Sequence, residues 1–503
     1  MARRNTTQSP NLATPGKAGV ATTLATCGDT PSILETMDHP AVFGPFFKGT
    51  SWAAWRAFLA ALFGLPMDEM QLAIYRQHTG RTEAPSTASS EAELVVGRRG
   101  GKSRILALIA TYLAVFREYE EFLAPGEVAT VAVIAADRKQ ARTIFRYVSG
   151  LLKAVPSLAS LIQDDTTETI TLSNRVVIEI VTASFRVTRG YTYAAVLADE
   201  TAFWRSEESA NPDAEIMRAI RPGMASIPGA VLLNASSPYR RAGLLWTTYQ
   251  RHYGKEAARV LVWKASTAEM NPGIDPAIIC EAYADDPESA ASEYGGEFRT
   301  DIADFIGRAV VEACIEPGCH ERPPSRAIGR RYSAFIDAAG GSGTDSMTIG
   351  IAHLEGGIPT LDALRERKPP FSPDDVVNEF SALMKSYGIS RAESDRWGGD
   401  WVGEAFRKHQ ITVAPCAKPK SDIYRELLPL LNGHRCALLD NPRLVSQLCG
   451  LERRTARGGR DSIDHAPLAH DDVANAAAGV LVMVSVSRGV MIVSEDVLAV
   501  LRS

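Results

Sequence analysis

The predicted architecture follows from residues 93–103, which read Glu-Leu-Val-Val-Gly-Arg-Arg-Gly-Gly-Lys-Ser. The apolar run 94–96 predicts a buried strand that stops at Gly97, and the pattern of residues 104–112 predicts a helix. A strand that turns through glycines into a helix directs free backbone N–H groups at one point, and that point favours phosphate oxygens. We therefore predict a phosphate-binding loop.

The polar residues of this loop predict binding of ATP with Mg²⁺. Lys102 would supply positive charge to the β- and γ-phosphates, and the Ser103 hydroxyl would bind Mg²⁺. The general motif G-x-x-x-x-G-K-[ST] is incomplete because its first glycine falls on Val96, so a surface turn stays open as an alternative. Gln77, just upstream, is a candidate for contacting adenine, although a connecting loop explains it better. The predicted ATP-binding residues of the loop are Gly97, Arg98, Arg99, Gly100, Gly101, Lys102 and Ser103.

A second strand, predicted over residues 193–200, ends in the acids Asp199 and Glu200. Asp199 would hold Mg²⁺ directly or through water, and Glu200 would polarise a water molecule for attack on the γ-phosphate. The next predicted strand ends at Ser236 and Ser237, which would sense the γ-phosphate and couple hydrolysis to movement, although a strand-end turn fits nearly as well. Candidates for stabilising charge in the transition state are Arg98, Arg99 and Arg189.

Length and composition indicate a soluble globular protein of two or three domains. The 503 residues carry a net charge of −5, so nucleic acid would have to bind at a local basic patch. Seven cysteines without C-x-x-C spacing predict free thiols in a reducing cytosol and no zinc site. The longest apolar stretch, residues 474–487, is too short to span a bilayer and predicts a buried helix, so no membrane partner is expected.

The pattern along the chain predicts an α/β protein. Residues 46–63 read as an amphipathic helix capped near Thr50 and Ser51. Strands and helices then alternate over residues 93–302, which predicts a parallel sheet with helices on both faces. A second domain with a mixed sheet is predicted beyond a Pro- and Gly-rich stretch. The predicted segments are a disordered tail (1–35), a P-loop ATPase domain (36–315), a linker (316–330), a nuclease domain (331–490) and a C-terminal tail (491–503).

Four acids of the second domain predict a metal-dependent nuclease site. Asp337 and Asp395 each end a predicted strand, and Asp471 and Asp472 open the last predicted helix. Acids that converge in this way repel one another unless cations lie between them, and two Mg²⁺ or Mn²⁺ ions would activate water and stabilise the leaving oxygen of a phosphodiester. This is the ribonuclease-H-like arrangement. From spacing alone, unrelated surface acids are the commoner explanation.

An arginine-rich segment with Gly458 and Gly459 lies between the second and third of these acids. A glycine-bearing hairpin of this kind would contact the DNA backbone without reading sequence. A solvated charged loop is an equal alternative. The predicted DNA-binding residues are Arg453, Arg454, Arg457 and Arg460.

Taken together, these features resemble the large terminase subunit of tailed bacteriophages or prophages, the motor that packages DNA into capsids. The resemblance extends over about residues 40–490. Its ATPase motifs are the arginine-bearing loop 97–103, the segments 189–192 and 197–204, and residues 289–299 with Glu-Tyr-Gly-Gly-Glu-Phe-Arg at their end. Its nuclease motifs are Asp-Arg-Trp-Gly-Gly at 395–399 and His-Asp-Asp at 470–472.

This resemblance implies that ATP hydrolysis drives double-stranded DNA into a procapsid, and that the nuclease cuts concatemers at packaging initiation and termination. It implies a homo-oligomeric ring, commonly a pentamer, docked on the portal protein, with a small terminase subunit as partner. We expect the isolated chain to be a monomer. In the infected cell we expect the protein in the host bacterial cytoplasm, at the portal vertex of the procapsid during packaging, and not in the mature virion. By carry-over, Lys102, Ser103, Asp199 and Glu200 run the motor, while Asp337, Asp395 and either Asp471 or Asp472 hold the nuclease metals.

Three other functions remain compatible with the residues. The first is an ATP-driven translocase or helicase whose C-terminal domain binds nucleic acid without cutting it. The second is a recombination or transposition nuclease that is regulated by its ATPase. The third is a non-enzymatic capsid or scaffold protein, against which the two sets of acids argue.

Overall fold

The computed structural model describes residues 30–183, 190–204, 212–325, 330–395, 399–455, 461–467 and 469–486. The chain divides into two compact units, and the second begins at Arg299 and also includes residues 240–242. It thus begins before the predicted linker 316–330, because the strand Ile302–Asp304 pairs with the strand Leu451–Thr455 of the second unit.

The first unit is built on an eight-stranded, mostly parallel sheet of order β3-β4-β5-β2-β6-β7-β1-β8. Neighbours from β5 to β8 in that order pair in parallel, whereas β3, β4 and β5 pair antiparallel at one edge. The predicted α/β class is confirmed. The strands are β1 (Glu91–Val96), β2 (Ala129–Ala135), β3 (Ile162–Asp165), β4 (Thr169–Leu172), β5 (Val176–Thr182), β6 (Tyr193–Asp199), β7 (Val231–Ser236) and β8 (Leu261–Ala265).

Helices cover both faces of this sheet because successive strand residues point to opposite sides. Val131 and Val133 belong to the core formed with α2, α4 and α5, whereas Ala132 and Ile134 belong to a core formed with α7. The helices are α1 (Ile33–Asp38), α2 (Ala53–Phe63), α3 (Glu69–Thr79), α4 (Lys102–Phe116), α5 (Arg138–Ala154), α6 (Pro156–Ala159), α7 (Pro212–Ile220), α8 (Gly243–His252), α9 (Thr267–Met270), α10 (Pro276–Asp285) and α11 (Pro287–Glu293).

Two predictions for the start of the chain were wrong. The predicted tail reached residue 35, but α1 begins at Ile33 behind a capping box in which Ser32 and Glu35 bond each other's backbone N–H groups. The helix predicted at residues 46–63 begins only at Ala53, because two short 3₁₀ turns precede it. Residues 1–29 of the predicted tail and the whole of 491–503 lie outside the described residues.

The second unit is built on a five-stranded mixed sheet of order β12-β11-β10-β13-β14. Strands β12, β11 and β10 pair antiparallel, and β10, β13 and β14 pair in parallel, so the mixed sheet is confirmed. A separate antiparallel sheet has the order β16-β15-β9. The strands are β9 (Ile302–Asp304), β10 (Tyr332–Asp337), β11 (Met347–Glu355), β12 (Ile358–Arg367), β13 (Arg391–Ser394), β14 (Thr412–Pro415), β15 (Leu451–Thr455) and β16 (Asp461–His465).

The last described helix of this unit packs unusually close to the mixed sheet. A Cβ atom at Gly479 would lie 2.4 Å from the ring of the buried Phe335, and one at Gly350 would lie 2.7 Å from the carbonyl oxygen of Ala476. Because glycine has no side chain, the helix backbone at Gly479 contacts the Phe335 ring directly, and the strand backbone at Gly350 contacts the helix backbone at Ala476. The helices are α12 (Arg308–Glu312), α13 (Pro373–Ser386), α14 (Gly399–Arg407), α15 (Lys420–Asn432), α16 (Pro442–Cys449) and α17 (Asp472–Val486). No described helix combines the length and apolar character that a membrane span requires.

The contact between Gly479 and Phe335 predicts a stability effect. Gly479→Ala should lower the free energy of unfolding by about 1–3 kcal/mol, because the added methyl group overlaps a ring that is held in a packed core. Gly403→Ala is the matched control, since a Cβ atom there would lie 3.4 Å from the nearest atom, the Val413 carbonyl oxygen. Chemical denaturation measures both variants, and equal effects at the two glycines would contradict the role of the close contact.

Candidate nucleotide and metal sites

The loop between β1 and α4 has the backbone that its glycines predict. Arg99 and Gly101 adopt left-handed conformations, with φ of 61° and 99°. A Cβ atom at Gly97 would lie 2.4 Å from the Thr267 hydroxyl oxygen, so a side chain does not fit there. The chain therefore leaves the central strand, turns sharply and enters a helix at Lys102, which is the geometry of a phosphate-binding loop.

Side chains from outside the loop hold its carbonyl groups. The Trp55 indole N–H donates to the Gly100 oxygen at 3.0 Å, and the Thr267 hydroxyl donates to the Arg98 oxygen at 2.7 Å. The Asn271 side-chain amide donates to the Arg99 oxygen at 2.9 Å. Sequence reasoning missed Thr267 and Asn271, because they come from the far end of the unit and carry no local motif.

Lys102 is the buried cation at the centre of the loop. Its ammonium nitrogen donates to the Val96 carbonyl oxygen at 2.8 Å and to the Ser237 hydroxyl at 3.0 Å. It also lies 3.4 Å from a carboxylate oxygen of Glu200. Three adjacent strands, β1, β7 and β6, therefore bring these groups together at their carboxyl ends.

The two acids at the end of β6 stand in different surroundings. Glu200 accepts hydrogen bonds from the Ser237 N–H at 3.0 Å and the Ser236 hydroxyl at 3.2 Å. Asp199 is buried, and burial together with the neighbouring charge of Glu200 raises its pKa to about 7. A buried carboxyl beside Lys102 suits a position that a divalent cation would neutralise. The predicted coupling serines thus contact the predicted catalytic acid directly.

A cleft of about 730 Å³ opens at this loop. Arg98 and Arg99 both line it, and the Arg98 guanidinium forms an ion pair of 2.6 Å with Glu293. Arg189 lies outside the described residues. Gln77 lies on α3, and its side-chain amide donates to a Glu269 carboxylate oxygen at 2.7 Å. Gln77 is not among the described residues that line the cleft.

In the second unit, the pairing of β10 with β13 brings two predicted acids side by side. The register pairs Ile336 with Ser394, so Asp337 and Asp395 follow at the ends of neighbouring parallel strands. The Asp395 N–H donates to the Ile336 oxygen at 3.1 Å. Burial, and after it the charge of Asp395, raises the pKa of Asp337 well above its ordinary value. Asp472 and Asp471 raise it further, so the four predicted acids form one electrostatic cluster.

Asp471 and Asp472 have different partners. Asp471 accepts a hydrogen bond from the Tyr424 hydroxyl at 2.8 Å and pairs with the Lys420 ammonium at 3.1 Å. Asp472 accepts from the Ser346 N–H at 3.1 Å, and burial raises its pKa to about 6. Because Lys420 already neutralises Asp471, Asp472 is the better placed of the two to bind a cation.

Among the described residues, two groups have potential ligand atoms that all lie within 4.8 Å of one another: Asp345, His470 and Asp472, and Asp464, His465 and Asp471. Neither group contains Asp337 or Asp395. The carboxylate oxygens of the four predicted ligands therefore do not all lie within 4.8 Å of one another. Carboxylate oxygens crowded in buried surroundings nevertheless suit Mg²⁺ or Mn²⁺.

Asn475 is a site residue that sequence reasoning missed. Its side-chain amide donates to an Asp337 carboxylate oxygen at 2.9 Å. The signal was its spacing, since it lies three residues after Asp472 and therefore on the same face of α17. This hydrogen bond fixes the orientation of the Asp337 carboxylate.

The predicted arginine hairpin is present as β15 and β16. Its described arginines are held within it, because the Arg453 Nε lies 2.6 Å from an Asp461 carboxylate oxygen and Arg454 donates to the His465 carbonyl at 3.0 Å. Arg457 and Arg460 lie outside the described residues.

Comparison with known families adds a finding to this geometry. The model of the family described as "Terminase large subunit, ATPase domain" matches residues 87–241. Residues 87–241 of this chain are therefore similar to the ATPase domain of large terminase subunits. The matched segment contains the loop 97–103, Asp199 and Glu200 at the end of β6, and Ser236 and Ser237 at the end of β7.

Solved terminase structures are similar over larger parts of the chain. The bacteriophage HK97 large terminase has 16% identity, covers 86% of this chain and 99% of its own, and has a TM-score of 0.37. A large terminase from a thermophilic bacteriophage has 12% identity, covers 82% and 98%, and has a TM-score of 0.37. The large terminase nuclease of thermophilic phage G20c has 18% identity, covers 34% and 95%, and has a TM-score of 0.29. No curated protein matches the chain.

The raised pKa of Asp199 predicts a pH-dependent stability difference. Folding favours the protonated carboxyl, so this stabilisation is present below the ordinary pKa of aspartate and is lost as the pH rises to about 7. In metal-free buffer, Asp199→Asn should therefore raise the melting temperature at pH 8 by about 3 °C or more, and this gain should shrink as the pH falls below about 7 and vanish only below the ordinary pKa of aspartate. Asp285→Asn, at an exposed aspartate, is the control. A gain that is independent of pH would contradict the assignment.

The hydrogen bond from Asn475 predicts an effect on metal binding. Asn475→Ala should weaken Mn²⁺ binding by about tenfold, because groups that orient a metal-binding carboxylate typically have effects of that size. Calorimetric titration measures the affinity, with Asn432→Ala at an exposed helix end as control. Unchanged Mn²⁺ affinity in the Asn475 variant would exclude this orienting role.

Proposed function

We propose that this protein is a viral DNA-packaging motor with two separate active sites, an ATPase in the first unit and a metal-dependent DNA endonuclease in the second. The observation that carries the proposal is the convergence of Lys102, Asp199, Glu200 and Ser237 on the loop after β1. These charged and polar groups suit the hydrolysis of a nucleoside triphosphate, and they lie within the matched terminase ATPase segment.

In the ATPase site, the residues have distinct proposed roles. Lys102 and the N–H groups of residues 97–103 bind the phosphates of ATP, and Ser103 and Asp199 hold Mg²⁺. Glu200 orients the attacking water, since its carboxylate is fixed by two hydrogen bonds and stands next to the lysine. Ser236 and Ser237 transmit the change at the γ-phosphate, because any shift of Glu200 alters their hydrogen bonds. Arg98 or Arg99 stabilises charge in the transition state.

In the nuclease site, Asp337, Asp395 and Asp472 are the proposed ligands of two Mg²⁺ or Mn²⁺ ions, with Asp471 nearby. Bound cations would activate water and stabilise the leaving oxygen of the phosphodiester. Asn475 holds the Asp337 carboxylate in place for this ribonuclease-H-like chemistry. The arginines of the β15–β16 hairpin, Arg453, Arg454, Arg457 and Arg460, contact the DNA backbone.

The proposed setting is that of a large terminase. The chain assembles as a homo-oligomeric ring, with a pentamer expected, on the portal protein of a procapsid in the host cytoplasm. It moves double-stranded DNA inward and cuts concatemers at the start and end of packaging. A small terminase subunit is its expected partner, and the isolated chain is expected to be a monomer.

A second candidate is an ATP-driven DNA translocase whose second unit binds nucleic acid without cutting it. One observation favours it. The groups of potential ligand atoms that meet within 4.8 Å in the described part of the second unit include neither Asp337 nor Asp395.

Two substitutions distinguish these functions. Lys102→Ala should lower the rate of ATP hydrolysis by about 100-fold or more, because it removes a preorganised positive charge at the phosphates. Asp337→Ala should abolish plasmid cleavage with Mn²⁺ or Mg²⁺ and leave ATP hydrolysis unchanged. Phosphate release with DNA present and gel analysis of plasmid measure the two activities.

Lys153→Ala and Asp374→Ala, at exposed residues of the same types, are the matched controls. A wild-type protein that hydrolyses ATP but does not cleave plasmid would support the translocase. A protein with neither activity would overturn both candidates.

A further inference from the structure

The cleft at the phosphate loop also contains apolar side chains that the triphosphate does not need. Tyr147 on α5, Met270 at the end of α9, Ile274, and Ile278 on α10 line the same cleft as Lys102. Its volume of about 730 Å³ is ample for a nucleoside as well as three phosphates.

Two of these apolar residues are strongly exposed. Ile278 is 49% exposed and Tyr147 is 44% exposed. Helix α10 carries Ile278 and Ile279, yet none of its residues, all of which the structure describes, is buried. Apolar surface of this kind at the mouth of a cleft is covered when a flat, partly apolar ligand enters.

Other groups that could contact a base are already committed. Gln77 bonds Glu269, and Trp55 is fully buried with its N–H on the Gly100 oxygen. The face of Trp52 is covered by the Arg104 guanidinium, which lies 4.8 Å from the ring centroid. Tyr294 also lines the cleft but is only partly exposed, so Tyr147 is the most exposed ring among the aromatic residues of the cleft.

We infer that Tyr147, Ile274 and Ile278 form the base-binding part of the cleft, and that they bind the base by stacking and burial. This inference rests on the proposed ATPase site. Asn271, a polar residue in the same cleft, uses its amide N–H on the Arg99 oxygen. Recognition through apolar contacts discriminates poorly between purines, so ATP and GTP should bind with affinities within about tenfold of each other.

The test measures binding rather than turnover. A fluorescent N-methylanthraniloyl-ATP is titrated onto the full chain, and inorganic tripolyphosphate and GTP are used as competitors. Ile278→Asn and Tyr147→Ala should each weaken binding of the nucleotide by about tenfold and change the tripolyphosphate affinity less than twofold. Tyr147→Phe should retain wild-type affinity because it keeps the ring. Ile358→Asn, at an isoleucine of the second unit that is 44% exposed, is the matched control.

Each outcome decides the inference. Unchanged nucleotide affinity in both variants, or equal weakening of tripolyphosphate, would overturn it, and a preference for ATP over GTP above tenfold would overturn its account of recognition. The wild-type protein could bind the nucleotide through these residues and yet not hydrolyse it. That result would contradict the proposed ATPase activity and would still support the base-binding site.

Discussion

The buried ammonium group of Lys102 imposes the constraint around which the first unit is arranged. A charge removed from water must be met by partners of opposite polarity, and here these are a carbonyl of β1, a hydroxyl after β7 and a carboxylate after β6. Each partner has to be delivered by a different strand. Because β6, β7 and β1 are parallel neighbours, their carboxyl ends lie at one edge and all three partners surround the ammonium group there. The topology of the sheet therefore determines which groups surround Lys102.

The second unit faces the opposite electrostatic problem. It gathers carboxyl groups rather than a cation, and the described neighbours compensate them unequally. Lys420 neutralises Asp471, while Asp337 and Asp472 respond to burial with raised pKa values. Such a cluster retains protons at pH values where exposed carboxyl groups lose them, so any binding of cations there would release protons.

Local patterns in the sequence predicted the elements well where one strand or helix carries its own signal. The strand before Gly97, the helix after Lys102 and the acids after β6 were all predictable because glycine, apolar runs and strand-end acids act locally. The contacts of Thr267, Asn271 and Glu293 with the loop were not, because they join residues far apart in the chain. The start of α2 was predicted too early because Thr50 and Ser51, which resembled a helix cap, lie in a 3₁₀ turn, and the α-helix begins only at Ala53. Asn475 needed the knowledge that α17 lies against β10.

The seating of α17 at Gly479 has a consequence for the spacing of two acids of the second unit. Because the backbone at Gly479 packs directly against the buried Phe335 ring, the helix has little room to shift relative to β10. Asp472 begins this helix and Asp337 ends that strand. The gap between their carboxylates is thus set about two helical turns away, by a glycine that touches no ion. If these two carboxylates hold one cation, as proposed above, the packing of an apolar core would restrict the ionic radius that fits between them, since divalent cations differ in radius by a few tenths of an ångström.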